Sequence, residues 1–106
     1  MRKSVMGVAV VLLLVGTATA GSNDKLWQVT EKSKSQKLTP SGTSINVQND
    51  GNTSVVVRLL DKDGNFVREE TVPANSDRDI RWNNSDYTVW VVHNGGDTNG
   101  CFEDIT

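Results

Sequence analysis

The feature that most constrains this chain is a series of short runs rich in β-branched residues, separated by turn-forming residues roughly every 8 to 12 positions. The runs cover residues 45–48, 53–60, 66–72, 77–82 and 87–93. No stretch after residue 20 shows the apolar period of about 3.6 that an amphipathic helix requires. With a last strand around Cys101 and Phe102, the pattern predicts an all-β fold: a small antiparallel β-sandwich or partly open barrel of about six short strands, connected as a meander.

The first 20 residues have the organisation of a cleaved signal peptide. Arg2 and Lys3 precede an apolar run, and Ala18 and Ala20 place small residues at the expected cleavage point. The apolar run is about 12 residues long, whereas roughly 20 are needed to span a bilayer. We therefore expect cleavage after Ala20, no membrane anchor after cleavage, and a secreted or periplasmic protein.

The 106-residue chain, once the signal is removed, has room for one small domain. Residues 21–44 are polar and rich in Ser, Thr and Lys, and are predicted to form an N-terminal segment or linker. A short apolar island within them, Leu26, Trp27 and Val29, fits an edge strand. Residues 45–106 are predicted to form the β-sandwich domain.

The charge balance limits the classes of partner that the chain can bind. Asp and Glu number 13 against 11 Lys and Arg, and two of those basic residues lie in the predicted signal. The mature chain is therefore acidic. Its net charge argues against nucleic acid or an anionic membrane as the main partner.

A family resemblance rests on residues 52–67, where Val-rich strands flank the turn Asp63-Gly64-Asn65, and on the later segments 72–73 and 86–89. Over residues 45–93 the chain resembles the small immunoglobulin-like and PEGA-type β-sandwich modules of exported bacterial proteins. The resemblance implies a module that binds, spaces or decorates rather than catalyses. It carries over no catalytic residues.

Residues suited to nucleophilic chemistry are few. Cys101 is the only cysteine, so an internal disulfide cannot form. Three interpretations stay open for it: a packed, inert thiol, an intermolecular disulfide, or a nucleophile paired with the only histidine, His93. A thiolate nucleophile needs a base and an orienting group, and the sequence offers a base only by spacing. We therefore predict no catalytic residues and no enzyme.

Carboxylates form one pattern that resembles a metal site. Residues 61–65 place two Asp and one Asn at alternate positions, but Gly64 comes too early for a calcium-binding EF-hand and the downstream Glu is missing. A hairpin turn without calcium is the prediction, since Asp-Gly supplies the backbone geometry of a tight turn. Glu69 and Glu70 point to opposite faces of a strand and do not form an acid and base pair. No metal and no cofactor are predicted.

Aromatic residues are the main binding signal. Trp82, Tyr87 and Trp90, together with Trp27, are many for a domain of this size. Flat rings on a β-surface can bind carbohydrate or peptide. The alternative is that the tryptophans belong to the core of the sandwich.

Alternation along two strands predicts which side chains face inward. If Arg58 faces solvent, then Val56 and Leu60 share its outer face. The predicted core positions are Val55, Val57, Leu59, Val89 and Val91. The predicted second apolar layer, on the outer side, consists of Val56, Leu60, Trp90 and Val92. Such a layer requires cover from residues 26–29, from the segment around Phe102, or from a second molecule.

These observations predict a noncatalytic exported binding or interaction module. Its partner would be a protein, a glycan or a second copy of the chain. The predicted binding residues are Trp82, Trp90, Tyr87, Val56 and Leu60. The alternative is a small secreted effector or enzyme inhibitor that acts through an exposed loop at residues 82–85 or 94–100.

Overall fold

The computed structural model describes residues 25–105, so the predicted signal peptide lies outside the described residues. These residues form eight strands and no helix. The strands are β1 (Lys25–Val29), β2 (Ser35–Lys37), β3 (Ser44–Asn49), β4 (Val55–Leu60), β5 (Phe66–Val72), β6 (Ser76–Arg81), β7 (Thr88–His93) and β8 (Thr98–Asp104). Within this part of the chain, no helix exists that is long and apolar enough to cross a membrane.

The eight strands form two four-stranded sheets. The first sheet has the order β1-β8-β3-β6 and the second has the order β2-β7-β4-β5. Every neighbouring pair is antiparallel. The prediction of an all-β antiparallel sandwich is confirmed, and the two sheets do not close into a barrel.

The strand order is that of a rolled ribbon: the chain forms one long antiparallel ribbon that ends in the β4–β5 hairpin, and this ribbon folds over to form both sheets. β4 and β5 form a hairpin, and β3 then pairs with β6, β2 with β7, and β1 with β8. Two further pairings, β3 with β8 and β4 with β7, complete the sheets. This is the order of an eight-stranded jelly roll. The predicted meander, in which residues 45–48 and 53–60 would form neighbouring strands, is therefore wrong, because β3 and β4 lie in different sheets.

The segment before residue 45 belongs to the sandwich. β1 is an edge strand, as expected, but β2 forms the edge of the second sheet in a stretch predicted to be a linker. Two edge strands from this segment raise the total from the expected six to eight. A polar run such as Ser35 to Lys37 can form a strand because two of its three side chains remain in water while its backbone pairs with β7.

The core lies between the two sheets. All five predicted core positions in β4 and β7 are at most 1% exposed, which confirms the inward assignment. The other buried apolar residues are Trp27, Val29, Leu38, Ile45, Val47, Val72, Ile80, Cys101 and Phe102. The indole Nε1 of Trp27 donates to the carbonyl of Cys101 at 3.1 Å. Gly100, opposite Trp27, lets the backbones approach, since a Cβ there would lie 1.8 Å from the carbonyl oxygen of Gln48.

β5 and β6 are the sheet edges on one side of the sandwich, and they carry charge at inward positions. Arg68 and Glu70 stand opposite the core residues Leu59 and Val57, and their side chains pair at 2.6 Å. Arg68 also donates to the backbone carbonyl of Arg81 on β6. Inward-facing charge on an edge strand opposes pairing with the edge of another chain. Association through this edge is therefore disfavoured.

Candidate functional site

The outer side of the second sheet brings the predicted second apolar layer together. β4 and β7 are its two central strands, and residues opposite each other in their ladder share a face. The pairs on the outer side are Val56 with Val92, Arg58 with Trp90, and Leu60 with Thr88. The four predicted residues of the layer thus lie on one surface, with Arg58 and Thr88 among them.

The edge strands complete this surface. β2 adds Ser35 beside Val92 and Lys37 beside Trp90. β5 adds Thr71, Glu69 and Phe66, which stand opposite Val56, Arg58 and Leu60. We call the whole set the Trp90 face; its members are Ser35, Lys37, Val56, Arg58, Leu60, Phe66, Glu69, Thr71, Thr88, Trp90 and Val92.

The apolar members of the Trp90 face are partly open to solvent. Val56, Leu60, Trp90 and Val92 are each half-buried, and Phe66 is 60% exposed. The expected intrachain covers lie elsewhere, because β1 and the Phe102 segment belong to the first sheet. Of the three alternatives for its cover, the two within the chain are wrong for a physical reason: the side chains of Trp27, Val29 and Phe102 fill the core between the sheets.

Hydrogen bonds within the face hold its polar groups. The Arg58 guanidinium bonds the Glu69 carboxylate at 3.0 Å, across neighbouring strands. The Trp90 indole donates to the Thr88 hydroxyl at 3.1 Å. One row of residues crosses the middle of the face. It has a cation, Lys37, at the β2 edge and an anion, Glu69, at the β5 edge. The two edges of the face therefore carry opposite charge.

Trp82 and Tyr87, also predicted as binding residues, do not join this surface. Trp82 follows β6 and packs, half-buried, against the core. Tyr87 precedes β7 in the loop that follows Trp82, and its backbone N–H donates to the carbonyl of Asn84. Both residues have the inward parity of the strands that they flank, and not the outward parity of the Trp90 face.

Four charged or aromatic members of the Trp90 face, Lys37, Arg58, Phe66 and Glu69, were absent from the predicted binding residues, although Arg58 was expected on the outer face. Glu69 could have been inferred by continuing the alternation along β5. Phe66 has the opposite parity and joins the same face only through the register shift at Leu59/Leu60. Lys37 had no such signal, because the three polar residues of β2 show no apolar alternation. Its place depends on pairing with β7.

A second polar cluster lies at the end of the sandwich where β7 finishes. The His93 ring nitrogen Nε2 lies 3.1 Å from the Asp97 carboxylate, which also accepts the backbone N–H of Glu31. The ammonium of Lys34 donates to the Glu31 carboxylate at 3.0 Å, and this bond lowers the pKa of Glu31. These contacts tie the β1–β2 loop to the β7–β8 loop.

Cys101 is not brought to His93. Its side chain lies on the outer side of the first sheet, between the positions of Leu26 and Gln48, whereas His93 ends a strand of the second sheet. Cys101 is 5% exposed, and its sulfur lies 3.5 Å from the side-chain oxygen of Gln48. This position supports the packed thiol among the three interpretations.

The turn at residues 61–65 is the hairpin that the sequence predicts. It joins β4 to β5, and one carboxylate oxygen of Asp61 accepts the backbone N–H groups of Asp63 and Asn65, each at 2.9 Å. Among residues 25–105, no group of three His, Cys, Asp or Glu side chains is placed to hold a metal ion.

Comparisons with known proteins give the chain no family. No protein-family model matches it, and no curated protein matches it. Among solved structures, the one reported as "Crystal structure of PirA" is similar, with a TM-score of 0.58 and 16% identity over 82% of this chain and 95% of that chain. A likeness at that identity shows a shared fold and says nothing of activity.

The comparisons do not support the resemblance to immunoglobulin-like and PEGA-type modules. The strand order also differs, since an immunoglobulin sandwich places strands A, B, E and D in one sheet, whereas the first sheet here joins the first, eighth, third and sixth strands. What the chain shares with those modules is the two-layer antiparallel architecture.

Proposed function

We propose that this chain is a noncatalytic, exported interaction module that binds its partner through the Trp90 face. One observation carries the proposal: the two central strands of the second sheet present Val56, Leu60, Trp90 and Val92 on their outer side, where they are only partly buried. The outer face of a solvated antiparallel sheet is ordinarily polar. An apolar patch with a charged rim is typical of a binding surface.

The preformed surface supports binding, and the signal-like N-terminus supports export. The surface is preformed, because both strands are held by the core on their inner side, so little ordering is required on binding. Export rests on the signal-like residues 1–20 alone. The partner classes that suit such a face are a protein, a glycan, or a second copy of the chain.

The test is to immobilise the mature chain and offer it three probes: the same chain in solution, a panel of purified polysaccharides, and exported proteins from the source culture. A captured protein counts only after its purified form binds the wild-type chain. We expect at least one probe to bind, and Val56→Lys to weaken that binding by about tenfold or more, because a charge then interrupts the centre of the patch.

Leu26→Lys is the matched control, because Leu26 is 68% exposed on the outer side of the first sheet. It should bind as the wild-type chain does. Circular dichroism must show that Val56→Lys is folded, and Leu60→Lys gives a second variant of the same face. Binding of no probe, or equal binding by both face variants, would refute the proposed function.

A further inference from the structure

We infer that the partner of the Trp90 face is a second copy of this chain, docked face to face about a twofold axis that runs along the strands. This inference rests on the proposed function, which assigns binding to that face. It adds the identity of the occupant and the register of the contact.

Two rows of residues cross the outer side of the sheet from β2 to β5. The first row reads Ser35, Val92, Val56, Thr71, and the second reads Lys37, Trp90, Arg58, Glu69. In the first row the residues on β2 and β5 both carry a hydroxyl, and in the second row they carry opposite charges. The two central residues are both valines in the first row, and an aromatic ring and a guanidinium in the second.

A twofold axis parallel to the strands, placed between β4 and β7, lays β7 of one copy on β4 of the other, and β2 on β5. Because the axis runs along the strands, each row meets its own counterpart. The contacts are Lys37 with Glu69, Trp90 with Arg58, Val92 with Val56, and Ser35 with Thr71. Symmetry makes each of them occur twice, as in any isologous interface.

The contacts between the residues of these two rows are favourable. Two Val56 and Val92 pairs remove apolar surface from water. The Arg58 guanidinium would lie over the Trp90 ring of the other copy, a cation–π arrangement. Glu69 already bonds the Arg58 of its own chain at 3.0 Å, and Lys37 of the other copy would approach the same carboxylate.

A twofold axis perpendicular to the strands would instead place identical residues opposite each other. Centred on the second row, it would place Lys37 on Lys37, Arg58 on Arg58 and Glu69 on Glu69. Like charges facing each other across an interface oppose association. The charge pattern therefore selects the axis along the strands.

The polar groups of the face favour a protein occupant over a glycan. A sugar requires hydrogen-bonding groups that point toward the ligand, but the Trp90 indole N–H is bonded to Thr88 and the Arg58 guanidinium to Glu69. What the face offers is apolar area and two opposite charges at its edges. A copy of the same face supplies the complement of both.

The size of the face predicts a weak dimer. Four strands about 4.8 Å apart and six residues with a rise of about 3.4 Å give a surface of roughly 20 by 20 Å. This lies at the small end of protein interfaces, so we expect a dissociation constant in the micromolar range or above. Association must be measured over a concentration series that extends to about a millimolar.

The decisive experiment is sedimentation equilibrium on the mature chain with two charge reversals, Lys37→Glu and Glu69→Lys. The wild-type chain should dimerise, and each variant alone should associate at least about tenfold more weakly, because like charges then face each other twice. An equal mixture of the two variants should recover association. In the mixed dimer the introduced glutamate faces the introduced lysine, and the unchanged Lys37 and Glu69 face each other.

Lys62→Glu is the matched control, since it reverses the same charge in the β4–β5 turn, away from the face, and should dimerise as the wild-type chain does. Circular dichroism checks the fold of every variant. Loss of the dimer in Val56→Lys, with an unchanged fold, should accompany the charge effects. That loss would show, independently of the charge reversals, that the apolar patch is buried in the dimer.

Three results would overturn the inference. If the wild-type chain stays monomeric at the highest concentration, the occupant is not a second copy, although a glycan or protein bound in the preceding experiment would leave the proposed function standing. If the charge reversals dimerise as strongly as the wild-type chain, another surface is used. If the mixture does not recover association, the contact lacks the twofold register.

Discussion

Asn49 is a polar side chain inside the sandwich, only 1% exposed, and it joins parts of the chain that lie far apart in sequence. Its amide donates to the backbone carbonyls of Thr53 at 2.9 Å and Val72 at 3.1 Å. Its carbonyl accepts the N–H of Gly51 at 3.1 Å and the hydroxyl of Thr98 at 2.6 Å. This network fixes the crossover from β3 to the other sheet, because both ends of the loop are bonded to the same side chain.

We predict that Asn49→Ala lowers the free energy of unfolding by about 2 to 3 kcal/mol, since buried carbonyl, amide and hydroxyl groups lose their partner. Asn49→Asp should be at least as harmful, because a carboxylate cannot donate to the carbonyls of Thr53 and Val72. Urea unfolding measures both. Asn52→Ala, an exposed change in the same loop, is the control, and equal effects at the two positions would contradict the role of the network.

Among the elements, the β4–β5 hairpin has a stability that should respond to acid. The Asp61 backbone N–H donates to the carbonyl of Asn65, the Gly64 N–H donates to the carbonyl of Asp61, and Gly64 has the positive φ of +85° that the turn requires. The Asp61 carboxylate accepts two further backbone N–H groups. The bond from the Asn65 N–H is the largest cause of a lowered pKa at Asp61.

A lowered folded-state pKa means that the carboxylate of Asp61 stabilises the fold above its ordinary pKa of 3.8, and that this stabilisation is lost as the pH falls through the folded value. We therefore expect Asp61→Asn to lower the melting temperature at neutral pH, and the difference from the wild-type chain to shrink toward pH 2. Asp63→Asn is the control, because Asp63 serves the turn through its backbone N–H. A difference that is independent of pH would contradict the assignment.

At the scale of the whole molecule, the rolled ribbon gives two tryptophans opposite roles. β1 pairs with β8 and places Trp27, 2% exposed, in the core between the sheets. β7 is a central strand of the second sheet and turns Trp90 outward, where it is partly buried. The first tryptophan belongs to the fold, and the second is available to a partner.

We predict that Trp27→Ala costs about 3 to 5 kcal/mol of folding stability, as large-to-small core changes do, and that Trp90→Ala costs less than half as much. Urea unfolding at low protein concentration measures the two variants without a contribution from self-association. In sedimentation the order should reverse, with Trp90→Ala weakening the dimer. Equal stability losses would mean that Trp90 is covered within its own chain.

Features that depend on neighbouring residues could be predicted from the sequence. The alternation of residues 55–60 separated the inner Val57 from the outer Val56, because successive side chains of a strand point to opposite faces. The Asp-Gly pair at 63–64 located the hairpin, since the geometry of a tight turn is a local requirement. Both predictions are confirmed by the structure.

The pairing of strands and the composition of the Trp90 face could not be predicted in this way, because they depend on contacts made in the folded protein. A turn-forming stretch has the same composition whether the chain returns in the same sheet, as after Leu60, or crosses to the other sheet, as after Asn49. β2 carries no apolar alternation, and Trp82 and Trp90 follow similar patterns although one packs inward and the other faces out. The physical reason is that local chemistry fixes where a strand begins, ends and turns its side chains, whereas its neighbours are chosen by contacts between residues distant in the chain.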